Sequence, residues 1–275
     1  MSIIVSLTST SERLDILRHT LMSLCSQTLK PDQIIVNLSR EPYLYDKGIQ
    51  NIPAWFKLFH YRNIRINWVK NIGPYRKLLP VLKNANKNDI IVTCDDDVIY
   101  GSNWLKKLLR SCNQFPDSLI CGRARRPVVN IFNRHQSYIN WPIITKSCQG
   151  IDLIPIGIGG VCYRNKLLDL NFIYSDEFKM LAPTQDDLWF KIASYRKGVE
   201  VRVAENIDGE VSPIQTKGSL YSVNASKNLK SSRHQFFYAI AERFALRSKS
   251  YLGIPICEND TVWHNLKAKY IILKH

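Results

Sequence analysis

The sequence predicts an α/β fold built on a mostly parallel central sheet. The first observation is an apolar strand at residues 2–7, a helix with leucines on one face from Leu14 onward, and a second strand at 33–38. Because parallel strands require a crossover connection, this strand–helix–strand unit favours a parallel sheet. The second observation is the apolar, β-branched run at 89–94, which is typical of a strand buried on both faces.

The same two periodicities predict the other elements along the chain. Strands alternate with helices up to about residue 115, and the alternation is looser beyond it. The later predicted elements are a strand at 65–69, helices at 77–87 and 104–112, strands at 119–129 and 160–163, a helix at 186–196, a strand at 199–203, a loop at 206–232 and a helix at 235–247. No internal repeat or linker interrupts this order, so residues 1–275 are predicted to form a single domain.

The composition indicates a folded protein with an anionic partner. Hydrophobic residues make up 45% of the chain and charged residues 22%, which is ordinary for a globular protein. The net charge of +15 attracts nucleic acid, nucleotide phosphates or an anionic membrane surface. The basic residues are dispersed and no nucleic-acid-binding motif is present, so a nucleic-acid-binding protein is the less favoured interpretation and no nucleic acid is expected as a partner.

The cysteines and the first residues predict a cytoplasmic location. Seven scattered cysteines without a CxxC pair are typical of reduced thiols. The start of the chain lacks a basic segment, and its apolar run is too short for a signal peptide. No run approaches the roughly 18 apolar residues that a membrane-spanning helix needs.

Three adjacent carboxylates, at 95–97, follow the strand at 89–94. Like charges so close together raise each other's pKa, so a compensating cation is expected. Ligands of open α/β sheets bind at the carboxyl ends of strands, which is where the triplet lies. Magnesium is usually held by one or two carboxylates and substrate phosphates, and manganese suits the same oxygens. The alternative is a solvated acidic turn that caps the next helix.

Four segments occur in an order that is typical of one enzyme family. Residues 3–38 contain a strand, a Thr/Ser turn with an arginine, a leucine-rich helix ending in Ser-Leu-x-x-Gln, and a second strand. The acidic motif lies within 90–100, a glycine-rich segment at 159–161, and an acidic pair at 186–187. Together they resemble the opening, the DXD motif, the acceptor-side glycines and the Glu-Asp pair of GT-A-type glycosyltransferases of family 2. The likeness extends over about residues 2–205.

The resemblance implies a GT-A (Rossmann-like) three-layer α/β/α sandwich with a C-terminal acceptor-side region. Residues 1–115 would form the nucleotide-binding half and residues 116–275 the acceptor-binding half, with a flexible loop at 206–232 that could close over the diphosphate. The implied reaction moves a sugar from a nucleotide diphosphate-sugar, with UDP-hexose as the expected donor, to a hydroxyl of a glycan or lipid-linked acceptor. Bacterial relatives suggest lipopolysaccharide or capsule assembly.

The resemblance also implies Mn²⁺ or Mg²⁺ at the acidic triplet, where it would neutralise charge on the leaving diphosphate. Asp97, the last acid of the motif, would be the direct ligand. Asp95 would face the ribose or the donor sugar and is a second candidate ligand. Asp96 could take either role, because three acids in a row leave the register open. Many GT-A-type enzymes add a C-terminal histidine to the metal, so His234 is a candidate ligand and His264 is another.

The acidic pair at the start of the helix at 186–196 is the candidate catalytic base. Asp187 matches the aspartate of the family pair and Asp186 stands in place of its glutamate, so either could take the acceptor's proton. A base on the far side of the anomeric carbon implies single displacement with inversion. In a retaining reaction these acids would not act as a base. The alternative role is helix capping, since acids favour a helix N-terminus.

Three further residues are candidate donor contacts. The turn from Thr8 to Arg13 follows the first strand and should touch the nucleoside. Arg13 would pair with a phosphate or with an acidic neighbour. Lys77 resembles a basic residue that related enzymes place near the catalytic base or the diphosphate. For Arg13 and Lys77 the alternative is a solvated surface position.

One rival enzyme class and one further partner remain. A nucleotidyltransferase has a similar sheet with acids after a strand, but its first strand is usually followed by a glycine-rich basic loop. The turn at 8–13 has no glycine, which argues against this class. Peripheral contact with the inner membrane is a further expectation, with the aromatic run from Trp55 to Arg62 as its candidate. The favoured interpretation of that run is an amphipathic element packed on the sheet.

Overall fold

The chain folds around one eight-stranded sheet in the computed structural model, which describes residues 1–59, 63–215 and 245–270. The strands in these residues are β1 (Ile3–Thr8), β2 (Gln33–Leu38), β3 (Ile64–Trp68), β4 (Ile90–Thr93), β5 (Val98–Tyr100), β6 (Leu119–Cys121), β7 (Ala124–Arg125), β8 (Ile143–Ile144), β9 (Cys148–Gly150), β10 (Ile154–Pro155), β11 (Val161–Tyr163), β12 (Val201–Val203) and β13 (Val211–Pro213). The large sheet has the order β3-β2-β1-β4-β11-β6-β12-β9, and the smaller sheets are β10-β7-β8 and β13-β5.

Six of the eight strands in the large sheet run in the same direction. The strands β3, β2, β1 and β4 pair in parallel, as do β6 and β12. Strand β11 lies antiparallel between β4 and β6, and β9 lies antiparallel at the edge. The prediction of a mostly parallel sheet is therefore confirmed.

Helices and apolar clusters cover both faces of the sheet. The helices are α1 (Leu14–Cys25), α2 (Leu79–Asn84), α3 (Trp104–Gln114), α4 (Leu170–Ile173), α5 (Phe178–Leu181), α6 (Asp186–Tyr195) and α7 (Glu258–Tyr270), and residues 245–251 are also helical. Successive residues of β4 alternate between two buried clusters, with Ile90 and Val92 in one and Ile91 in the other. This alternation produces the three-layer arrangement. None of the described helices has the length and hydropathy to cross a bilayer.

Several boundaries differ from the sequence prediction. The helix predicted at 77–87 is limited to α2, because a 3₁₀ turn at Gly73–Lys77 precedes it and Pro80 stands in its first turn. Residues 211–213, predicted as loop, instead form β13, whose backbone pairs with β5. The rest of that loop from residue 216 onward lies outside the described residues, as does the predicted helix up to residue 244.

The aromatic run after residue 54 packs into the protein. Phe56 and Phe59 are buried in the cluster that also contains residues of β1 and β4. The ring of Trp55 stacks on Phe56 with a centroid distance of 4.9 Å. The prediction of an amphipathic element packed on the sheet is confirmed for these three residues. Tyr61 and Arg62 lie outside the described residues.

Candidate active site

Five carboxylates meet at the carboxyl end of β4, and we term them the acid cluster: Asp95, Asp96, Asp97, Asp186 and Asp187. The first three follow β4 after Cys94, and the other two lie in the first turn of α6. A helix N-terminus favours acids, which helps to explain their presence there. The fold therefore brings together the two acidic segments that sequence analysis selected separately.

Lys77 joins the two halves of the acid cluster. Its buried Nζ lies 2.9 Å from Asp186 Oδ2, 3.3 Å from Asp95 Oδ1 and 3.5 Å from Asp187 Oδ1. Burial by itself lowers the pKa of Lys77, but the three carboxylate charges raise it well above its ordinary value. Ser6 Oγ donates a hydrogen bond to the Lys77 carbonyl at 2.7 Å, which fixes the backbone. Lys77 is therefore a permanent cation at the centre of the site.

Asp96 is the covered member of the triplet, with 7% of its side chain exposed. Its carboxylate lies 2.6 Å from Arg13 Nη2 and accepts a hydrogen bond from Ser9 Oγ at 2.5 Å. Burial raises the pKa of Asp96 to about 6, although Arg13 and Ser9 oppose this change. Thr20 Oγ1 donates to the Asp96 carbonyl at 2.8 Å. Asp96 thus connects the first loop and α1 to the end of β4.

Asp95 and Asp97 are more open than Asp96, since 32% of each side chain is exposed. Asp97 Oδ2 lies 2.8 Å from Arg13 Nη2. Burial raises the pKa of Asp97, the charge of Arg13 lowers it, and the charge of Asp95 raises it further. These are the two carboxylates of the triplet that a bound ligand could reach.

The two acids of α6 differ in their exposure. The side chain of Asp186 is 8% exposed and that of Asp187 is 24% exposed. Burial raises the pKa of both carboxyls, to about 7 for Asp186, and the charge of Lys77 opposes the change. The backbone N–H of Gly157 donates to Asp187 Oδ2 at 2.8 Å and orients that carboxylate. Asp187 is therefore the more accessible acid of the pair.

The glycine turn at 157–160 packs directly against the acid cluster. A Cβ on Gly157 would lie 2.7 Å from Lys77 Nζ and 2.9 Å from Asp95 Oδ1, both closer than real Cβ contacts. Gly160 has a φ of +83°, in the region that favours glycine. In the sequence, Gly157, Gly159 and Gly160 together suggest a loop packed under the acceptor site, and in the structure Gly157 makes the close approach to the acid cluster.

A buried ion pair that sequence analysis missed supports the first loop. Arg76 Nη2 lies 2.9 Å from Asp46 Oδ2, and both side chains are almost fully covered. Arg76 also donates to the Ser9 carbonyl at 3.3 Å, and the backbone N–H of Ser11 donates to Asp46 Oδ1 at 3.2 Å. The pair therefore fixes the loop that carries Ser9 and Arg13 to the acid cluster. Because 30 residues separate its two members, no local pattern reveals it.

Arg76→Gln should lower the free energy of unfolding by about 3–5 kcal/mol, because it leaves the buried Asp46 carboxylate without its cation. Urea denaturation followed by circular dichroism measures this change. Lys47→Gln is the matched control, since Lys47 pairs with Glu12 in full exposure and its loss should leave unfolding unchanged. If the two substitutions changed the free energy of unfolding by the same amount, the buried pair would not stabilise the loop.

The donor set of the acid cluster fits a divalent cation. Asp95 and Asp97 offer oxygen ligands, which magnesium and manganese prefer. Five carboxylates face two cations, Lys77 and Arg13, so the fully ionised cluster has a formal excess of three negative charges. No three His, Cys, Asp or Glu side chains within 1–59, 63–215 and 245–270 are arranged to hold a metal. Two carboxylates would therefore need oxygens from a substrate, which is usual for magnesium.

The remaining predicted site residues are Thr8, His264 and His234. Thr8 ends β1, and its Oγ1 donates to the Asn37 carbonyl at 2.8 Å. His264 lies on α7. Burial lowers the pKa of His135, and the charges of Lys267 and His264 lower it further. His234 lies outside the described residues.

Comparisons with known proteins bear on the family and the fold of the chain. A sequence model of the family described as glycosyl transferase family 2 matches residues 2–172, which is more than half of the chain. The crystal structure of S. aureus TarS 1-349 is similar with a TM-score of 0.51 and 16% identity, over 96% of this chain and 78% of that one. This level of identity supports the shared fold alone.

A second crystal structure, of S. aureus TarS 1-349 in complex with UDP, has a TM-score of 0.47 and 18% identity, over 77% of this chain and 59% of that one. At that TM-score the likeness says nothing about the donor of this chain. Comparison with curated proteins found no significant match. The family match favours a glycosyltransferase over the nucleotidyltransferase considered above. The chain belongs to glycosyl transferase family 2.

Proposed function

We propose that the protein transfers a sugar from a nucleoside diphosphate to an acceptor hydroxyl, with inversion at the anomeric carbon. The observation that carries this proposal is the position of Lys77, which contacts the acid after β4 and both acids of α6. A donor-side carboxylate and a candidate base are therefore parts of one site. A structural role alone would not require two open carboxylates, Asp95 and Asp187, on either side of a shared cation.

The donor diphosphate is proposed to lie against Asp95, Asp97 and Arg13. Bound Mn²⁺ or Mg²⁺ would supply Lewis-acid stabilisation of the leaving diphosphate. Asp95 and Asp97 would be its protein ligands, because they are the open members of the triplet. Arg13, which is 40% exposed and already next to both Asp96 and Asp97, can turn toward a phosphate without leaving the cluster. We propose a UDP-hexose as the donor, since such donors are common for sites of this type.

Asp187 is proposed as the general base. The acceptor oxygen forms the new bond to the anomeric carbon, the bond to the diphosphate oxygen breaks, and the acceptor proton moves to an Asp187 oxygen. Burial raises the pKa of Asp187, which makes it a better proton acceptor, and Lys77 favours its ionised form. The Gly157 N–H orients the carboxylate. Asp186, which is more covered, would hold Lys77 in place.

The acceptor is proposed to be a hydroxyl of a glycan or of a lipid-linked sugar. The family membership supports a sugar hydroxyl over other nucleophiles. Lipopolysaccharide or capsule assembly remains a proposal that rests on the resemblance to bacterial enzymes of surface-polysaccharide synthesis. A donor-hydrolysis assay tests the donor part of the proposed reaction without knowledge of the acceptor.

Asp97→Asn should abolish the stabilisation that Mn²⁺ adds to nucleotide binding, because it removes one of two open carboxylates. The measurement is a thermal-shift screen of nucleoside diphosphates with and without Mn²⁺. In the wild-type protein one nucleotide, UDP on this proposal, should raise the Tm more with metal than without it. At a ligand concentration of 100 Kd this corresponds to about 2.7 kcal/mol of added stability.

Asp117→Asn is the control for this screen. Asp117 is exposed and pairs only with Lys166 among the described residues, so its substitution should leave the metal-dependent shift intact. A full metal-dependent shift in Asp97→Asn would overturn the assigned metal ligand. The absence of any shift with every nucleotide in the wild-type protein would overturn the proposed donor site.

A further inference from the structure

An apolar hairpin tip projects from the second half of the chain. Ile131 is 82% exposed and Phe132 is 64% exposed. The N–H of Asn133 donates to the carbonyl of Asn130 at 3.0 Å, so Ile131 and Phe132 are the two central residues of a tight turn. Such positions usually carry Gly, Pro, Asn, Asp or Ser, which makes two large apolar side chains here unusual.

The turn is held in one conformation by hydrogen bonds. The side-chain oxygen of Asn130 accepts hydrogen bonds from the backbone N–H groups of Phe132 and Arg134, both at 2.9 Å. The Asn130 side-chain amide donates to the Tyr251 carbonyl at 2.6 Å, and Ser250 Oγ accepts the N–H of Ser137 at 3.0 Å. The tip is therefore presented on a fixed frame.

The segment after residue 250 extends the apolar surface. Tyr251 and Leu252 are exposed and adjoin the hairpin through the Asn130–Tyr251 hydrogen bond. We define the apolar patch as Ile131, Phe132, Tyr251 and Leu252. Four exposed large apolar side chains gathered on two tied turns are characteristic of an interaction surface rather than of isolated surface residues.

The charged side chains on the two segments that carry the apolar patch are all basic. Arg134, Arg247 and Lys249 are exposed on the same two segments, and we term them the basic rim. No Asp or Glu occurs at 127–147 or at 245–257. This arrangement complements a surface that carries negative charge on its outside and has an apolar layer beneath that charge. A second copy of the chain in a twofold contact would instead bring basic rim against basic rim.

The segment that follows the hairpin leads toward the acid cluster. Tyr138 follows the hairpin, and its N–H donates to Asp260 Oδ1 on α7 at 2.6 Å. Burial raises the pKa of Tyr138 to about 12, and the charge of Asp187 adds to this change, so Tyr138 lies within electrostatic reach of the proposed base. The segment that follows the hairpin therefore reaches the neighbourhood of the proposed base.

We propose that the apolar patch and its basic rim dock the protein on an anionic lipid surface. Apolar insertion and attraction between the rim and anionic headgroups are the two signals that stable peripheral binding requires. The proposal locates the contact at residues other than the aromatic run of the first half, whose Phe56 and Phe59 are buried in the core. Vesicle binding needs neither donor nor acceptor, so it is tested independently of the transferase reaction.

The test is co-sedimentation of the full chain with phosphatidylcholine vesicles, with and without phosphatidylglycerol. We expect binding only with phosphatidylglycerol and weaker binding as salt is added. The double substitution Ile131→Ser and Phe132→Ser should lower the partition coefficient at least about tenfold, because two apolar side chains no longer insert. Arg134→Gln and Lys249→Gln should each lower it about fivefold.

Matched controls use exposed residues away from the patch. Met180→Ser removes an exposed apolar side chain on α5, and Arg18→Gln removes an exposed charge on α1, so both should bind like the wild type. Circular dichroism checks that each variant is folded. Absence of binding to anionic vesicles would overturn the proposal, as would equal losses in Met180→Ser and the hairpin variant. Self-association that the hairpin variant abolishes, without vesicle binding, would identify a dimer contact instead.

Discussion

Asp187→Asn should lower the kcat of sugar transfer by about 10²–10⁴-fold, which is the usual contribution of a general base. Asparagine keeps the shape of the side chain, and its amide oxygen can still accept the hydrogen bond from Gly157 that orients Asp187. What it loses is the ability to take the acceptor's proton. The Kd for the nucleoside diphosphate should remain near the wild-type value, because the donor carboxylates are untouched. Single-turnover transfer and calorimetric titration measure the two quantities.

Asp186→Asn is the comparison that decides between the two acids. Asp186 is the more covered acid and contacts Lys77 more closely, so its loss should act through Lys77 and reduce kcat less than the loss of Asp187. The wild-type rate should fall as pH drops through the pKa of Asp187, because protonation removes the base, and burial places that pKa above its ordinary value. An inactive Asp186→Asn beside an active Asp187→Asn would reverse the assignment.

Gly157→Ala should lower the kcat of transfer by about 10²-fold, since displacement of reacting groups by about 1 Å has effects of this size. The new Cβ would stand 2.7 Å from Lys77 Nζ, 2.9 Å from Asp95 Oδ1 and 3.3 Å from Asp187 Oδ1. All three groups would have to move, so both the donor side and the base would be displaced. The kcat of transfer and the Kd for the nucleotide should therefore both change, whereas Asp187→Asn should change only kcat.

Gly209→Ala provides the matched control for this substitution. No atom lies within 4 Å of a Cβ built on Gly209, and its φ is not in the positive region. Its rate and nucleotide affinity should match the wild type. If Gly157→Ala were as active as Gly209→Ala, the close packing of the glycine turn against the acid cluster would have no catalytic importance.

The strands of the first half could be predicted because their signals are local. The predicted strand at 33–38 coincides with β2, and the run at 89–94 contains β4. Each is a continuous apolar run, as burial on both faces requires. The strand predicted at 119–129 is divided into β6 and β7. The short strands β8, β9 and β10 were not predicted, since two or three residues carry no periodicity and depend on pairing with distant partners.

The acids of the site could also be selected from sequence, but their connections could not. Asp95 and Asp187 stand in motifs at the ends of a strand and at the start of a helix, where ligands and acids are expected. Lys77 was selected only as a residue near the base or the diphosphate, and its contact with both acidic segments depends on the fold. The role of Gly157 likewise depends on which atoms surround it.

The sequence by itself determined the α/β class, the order of the first strands and the identity of the acids, because each follows from a local pattern of burial or charge. The tertiary structure decided which acid is exposed, which cation joins the two acidic segments, and that Arg76 and Asp46 support the first loop. Burial and short-range electrostatics act between groups that are neighbours in space. Residues such as Asp46 and Arg76, 30 positions apart, become neighbours only when the sheet forms.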